Sequence, residues 1–136
     1  MSAPVLELVF PAHAQYLSLA RLGLAGVAPV AGLDAAGLAD LKLAVTEACA
    51  NAVRHAYPDG HGGSVKVRIA VEEGAISVDV SDAGRGIDAD DVADWDPDEM
   101  QESGMGLAII RSVVDDVEVD SPDEGGTVVR LTKRLG

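Results

Sequence analysis

Aromatic residues are scarce in this 136-residue chain, 3% of the total with one Trp and one Phe. A core of stacked rings is therefore excluded. What remains is 48% hydrophobic content carried by Ala, Val, Leu and Ile, enough for one domain built of helices on a sheet. Cysteine is almost absent: Cys49 stands alone, which rules out an intramolecular disulfide or a multi-cysteine metal site and points to a reducing compartment. Positive charge is also short, with 10 Lys and Arg against 23 Asp and Glu, a net charge of −13. That field repels phosphate backbones and anionic lipid, so neither nucleic acid nor a membrane surface is an expected direct partner. The N-terminus lacks a basic segment followed by an apolar run, and no stretch approaches a charge-free membrane span. A cytoplasmic protein is expected.

Periodicity supplies the elements. Residues 5–10 read as a strand closed by Pro11, and 12–28 as a helix with an apolar stripe through Leu17, Ala20, Leu24 and Val27. Leu19 and Leu22 lie off that stripe and are read as a broadening of the core face, with a partner surface as the other reading. A Pro and Gly connection at 29–33 leads to Asp34, a helix N-cap, and a second helix to about residue 55. Strict alternation in 65–71 and 76–80 around Glu73-Gly74 marks a hairpin. Residues 87–103 carry eight acids and no Lys or Arg, the composition of a mobile lid. A helix from 104 and strands at 117–121 and 127–133 complete the chain. The order β, α, α, β, β, loop, α, β, β predicts a single domain over 1–136, an α/β two-layer sandwich with a mostly antiparallel mixed sheet and its helices on one face.

Four short patterns carry chemistry in combination. Glu47 and Asn51 are four apart, so both project from one face of the second helix, with His55 a turn beyond. An amide oxygen at Asn51 suits Mg²⁺, which prefers hard oxygen ligands and takes others from phosphate and water. Asp82 leaves a strand into a turn with Gly84 and Gly86; its carboxylate can accept from an adenine amino group while Gly84 lets the base approach. Gly104, Met105, Gly106 and Leu107 open a helix, where free N–H groups and the helix dipole favour phosphate. Thr127, at a strand start after two glycines, offers a hydroxyl to assist Asp82. Each pattern alone is an ordinary turn or solvated face. Their order along the chain points to an ATP site.

The run Glu47-Ala48-Cys49-Ala50-Asn51-Ala52-Val53-Arg54-His55-Ala56-Tyr57, with Asp82-Ala83-Gly84-Arg85-Gly86-Ile87 and Gly104-Met105-Gly106-Leu107, resembles the GHKL ATPases, and among them the bacterial anti-sigma-factor serine kinases of stress response and sporulation. The resemblance covers nearly the whole chain. It implies a Bergerat-type fold with ATP and Mg²⁺ as ligands, Asn51 on the metal, Glu47 as base, Asp82 reading adenine, and a homodimer. It implies partners too: a sigma factor, and a STAS-type anti-anti-sigma protein phosphorylated on serine, with Arg21 on the partner-binding surface. Histidine kinases of the superfamily generally carry an amide at the position of Glu47; a carboxylate suits a hydroxyl acceptor, which must lose its proton. One departure is that Gln101-Glu102 stand where related kinases can place an arginine, leaving Arg85 and Arg111 as substitutes. Two other readings follow: a nucleotide-responsive binding module without turnover, and a detached catalytic half of a histidine kinase.

Overall fold

The computed structural model describes residues 4–56, 63–82, 105–120 and 126–135. Five strands form one sheet: β1 (Pro4–Pro11), β2 (Ser64–Glu72), β3 (Ala75–Asp82), β4 (Asp116–Asp120) and β5 (Thr127–Arg134), in the spatial order β1-β2-β3-β5-β4. Every pairing is antiparallel among these described strands. Among the described residues three α-helices accompany them: α1 (Leu17–Ala31, preceded by a 3₁₀ turn at Ala14–Tyr16), α2 (Ala35–Ala56) and α3 (Met105–Val113). The expected two-layer sandwich is what forms.

Alternation explains the layers. Val65, Val67 and Ile69 of β2 and Ile76, Val78 and Val80 of β3 are buried against the helices, whereas Lys66 and Arg68 between them are exposed on the opposite face. Onto this apolar face α2 lays Leu41, Ala44, Val45, Ala48, Cys49 and Ala52, and α1 lays Leu17, Ala20, Leu24 and Val27, all buried. Small residues let backbones come close: a Cβ on Gly23 of α1 would stand 2.9 Å from a methyl of Leu6 on β1. Each fully buried Leu or Ile in such a layer contributes about 2 kcal/mol through removal from water.

Two expectations need correction. Leu19 and Leu22 do not broaden the core face; they are 40% and 68% exposed on the outer side of α1. The stripe at Leu17, Ala20, Leu24 and Val27 already fills the contact with the sheet, and one helix face covers no more. Second, residues 29–31 are helix rather than connection, since α1 accepts Pro29 in its last turn. Its fixed φ is helical, and a single missing N–H there interrupts only one bond. The helix stops instead at Gly32, whose φ of 79° is left-handed, with Gly32 N–H donating to the Pro29 carbonyl at 3.3 Å and Leu33 N–H to that of Ala28 at 3.0 Å. Two residues on, Asp34 caps α2: its Oδ1 accepts from the Gly37 N–H at 2.7 Å.

Candidate functional site

Between Asp34 and Ala56, α2 crosses the sheet and packs on β2, β3, β5 and α3. Glu47 and Asn51 stand beside its buried seam and are half-buried, neither in the core nor free in solvent. Glu47 opens on a recess of about 350 Å³ lined by Ala14, Leu17, Ala50, Val53 and Arg54, mainly apolar and bounded by the start of α1. A carboxylate at such a rim keeps solvent access and has apolar side chains at its flank. One turn further, the Asn51 Oδ1 accepts a hydrogen bond from the Arg54 Nη2 at 2.8 Å.

Strands β3 and β5 bring the second half. Asp82, the last residue of β3, lies directly across from Thr127, the first of β5. Directly paired residues of an antiparallel ladder share a face, and these two fall on the parity of Val80 and Val129, the face under the helices. Thr127 is buried and Asp82 half-buried; both have polar interactions. The preceding Gly126 has a φ of 87°, a left-handed turn into β5 that disfavours a side chain. An acid and a hydroxyl thus sit together at one end of the central strands.

Backbone positions at Met105, Gly106 and Leu107 form the first turn of α3, so the expected helix is present, with Gly106 inside its first turn rather than before it. Its far end is fixed by Lys133, whose Nζ donates to the Val113 carbonyl at 2.8 Å and to Asp40 of α2 at 3.2 Å. Arg111 is exposed in the last turn, roughly 9 Å along the axis from Met105 at 1.5 Å per residue. As a substitute cation for phosphate it is therefore at the wrong end of α3. Gly84, Arg85, Gly86, the proposed lid at 87–103 and Gly104 lie outside the described residues, as does the side chain of His55. Arg21 is exposed on α1, on the same outward side as Leu22.

Sequence reasoning gave Arg54 no role although it stands inside the quoted run. Its spacing of three from Asn51 was a signal, since such pairs face each other on a helix. The Lys133 contacts carried no such signal, because they join residues far apart in the chain. The Asn51 Oδ1 is a hard oxygen of the kind Mg²⁺ takes alongside phosphate and water, and here it accepts from the Arg54 guanidinium.

A protein-family model described as a histidine kinase-like ATPase domain matches residues 10–133. The serine-protein kinase RsbW of Bacillus velezensis is 39% identical, the match covering 98% of this chain and 88% of that one. RsbW of Bacillus subtilis is 37% identical over the same shares. Among solved structures, the RsbU and RsbW domains of Rv1364c from Mycobacterium tuberculosis superpose with a TM-score of 0.71 at 27% identity, covering 98% of this chain and 32% of that one. With helix, strand ends and glycine-led turn arranged as above and the match running almost from end to end, this chain belongs to the histidine kinase-like ATPase domain family.

Proposed function

We propose that this protein binds Mg-ATP and transfers the terminal phosphoryl group to a serine of a STAS-type anti-anti-sigma protein, and that as a homodimer it holds a sigma factor when the antagonist is phosphorylated. The observation that carries the reading is the placement of Glu47 and Asn51 one turn apart on α2, over the strands that end in Asp82 and Thr127. It is supported by 37–39% identity to serine-protein kinases across nearly the whole chain.

In this reading Asp82 accepts from the adenine amino group, assisted by Thr127, while His55, Gly84 and Gly86 complete the nucleotide's surroundings. The first turn of α3, with Gly104, Met105, Gly106 and Leu107, offers backbone N–H groups to the phosphates. Asn51 supplies its carbonyl oxygen to Mg²⁺, which when bound neutralises charge on the phosphate oxygens. Glu47 takes the proton of the serine hydroxyl, which enters through the recess at its side. A carboxylate here favours a hydroxyl acceptor over an imidazole, which needs no base. The exposed outer side of α1, with Arg21, Leu19 and Leu22, is the surface offered to the sigma factor or antagonist.

Incubation with Mg-ATP and the cognate STAS protein tests the proposal. Serine phosphorylation is expected, and Glu47→Gln should lower its rate by about 10²–10⁴-fold while leaving ATP affinity within a few-fold. Undiminished transfer by that variant would remove Glu47 from the mechanism. Arg21→Glu should weaken partner binding and spare nucleotide binding; equal loss of both would contradict a surface role.

A second reading, a nucleotide-responsive anti-sigma module without turnover, is favoured by one observation. Arg111 stands in the last turn of α3, at the opposite end from its first N–H groups, and residues 87–103 bring eight acids and no basic residue. It predicts partner affinity that changes with nucleotide and no label on any serine.

A further inference from the structure

Val129, Leu131 and Lys133 follow one another on the helix-facing parity of β5, and Lys133 stands opposite Ile76, which is fully buried. Strand alternation calls for an apolar side chain there, yet the position holds a lysine, 19% exposed. Its amine is fully engaged: the Nζ donates to the carbonyl of Val113, the last residue of α3, and to the Asp40 carboxylate of α2. The chain just beyond α3 is pinned to β5 as well, with Asp115 N–H donating to the Thr132 carbonyl at 2.9 Å and Arg134 N–H to the Asp115 Oδ2 at 2.7 Å. Those two bonds fix where α3 ends; the Lys133 bridge fixes that end against α2. Among the described side chains of α3 only Ile110 is buried, which leaves the polar bridge a share in setting the angle between the helices.

Resting on the Mg-ATP reading above, we propose that Lys133 is a positioning residue for the nucleotide phosphates: by bridging Asp40 and the end of α3, it holds the first turn of α3 in its binding position before the nucleotide arrives. Only residues 35–39 of α2 precede Asp40, so α3, which packs along α2 and ends beside Asp40, extends towards Glu47 and Asn51. Its nine residues cover about 12 Å at 1.5 Å per residue, the length of α2 from Asp40 to about Ala48. A change of tilt at Val113 is thus carried along the helix to Met105. The ammonium group is also well placed for the field of the last carbonyls of α3. Without the bridge α3 samples several tilts, and binding ATP must select one of them, a cost that appears as lost affinity. Asp82 and Thr127 lie at the other end of β5, so the adenine end of the pocket does not depend on Lys133.

The test is calorimetric titration of the full chain with Mg-ATP and with adenosine, which carries the base and no phosphate, in wild type, Lys133→Met and Asp40→Ala. Lys133→Met should bind Mg-ATP about five- to tenfold more weakly and Asp40→Ala about two- to threefold, with adenosine affinity within about twofold of wild type in both. The two substitutions remove charges of opposite sign. A general field effect would therefore weaken ATP binding in one and strengthen it in the other, whereas a lost bridge weakens it in both. Lys133→Arg, which keeps donors for both partners, should recover most of the affinity. Equal loss of ATP and adenosine binding would show a damaged fold and overturn the proposal, as would unchanged ATP affinity in Lys133→Met or tighter ATP binding in Asp40→Ala. If wild type binds neither ligand, the nucleotide reading itself fails and takes this one with it.

Discussion

Cys49 lies between Glu47 and Asn51 in sequence and faces away from both, fully buried in the seam of α2. Burial disfavours the thiolate, pushing the thiol from 9.0 up to about 12. The folded thiol therefore stays protonated through a range in which the unfolded one ionises. Its raised pKa contributes stability that is intact below pH 9 and is lost as pH rises towards 12. Between those values wild type should lose up to about 1.4 kcal/mol per pH unit more than Cys49→Ala, as measured by urea unfolding at pH 8 and pH 10.5. Equal slopes would contradict it. Thiol reagents should label Cys49 only on unfolding. At this scale Glu47 and Asn51 were legible because a spacing of four on a helix fixes a shared face whatever the tertiary context. For Arg54 the spacing of three allowed the contact with Asn51 but did not select it, because a long side chain chooses its partner by rotamer.

Elements were legible where their signals are local. Alternation in β2 and β3 around Gly74, whose φ is 75°, gives the hairpin almost residue by residue. Asp34 announced the start of α2 for the same reason: the cap and its target, Gly37, are three residues apart. Asp34→Ala should destabilise the protein by about 1 kcal/mol. Gly32→Ala should cost a comparable 1–2 kcal/mol, roughly, because its φ of 79° is left-handed. Chemical denaturation checks both, and no loss at Gly32 would mean that α1 ends elsewhere in solution. The end of α1 was misread because proline in a last turn looks in sequence like proline in a loop. The sheet order β1-β2-β3-β5-β4 follows from packing between distant segments, which no local pattern encodes.

For the molecule as a whole, the excess of acid is the dominant long-range term. With a net charge of −13 the folded chain repels itself, and salt should relieve this. Tm is expected to rise by a few degrees between 0.01 and 0.15 M KCl. A fall would show that paired charges outweigh the unpaired acids. The same balance was plain in the sequence; where the few bases stand was not. Two of them, Arg68 and Arg130, stand on the open face of the sheet, where strand register sets Glu7 opposite Arg68, Arg68 opposite Asp79, Asp79 opposite Arg130 and Arg130 opposite Glu118, a row of alternating sign across all five described strands. Asp79 holds Arg130 in its charged form through a bond of 2.8 Å, with Glu118 and Glu72 adding to the effect.

Such a row ties the fates of its members together over evolutionary time. Reversing one interior charge sets it against two neighbours at once, and swapping a single pair only moves the clash to the next strand, so tolerated changes should be paired replacements by neutral residues, Asp79 with Arg130 or Glu7 with Arg68. Relatives that have lost one half of a pair are expected to have lost the other.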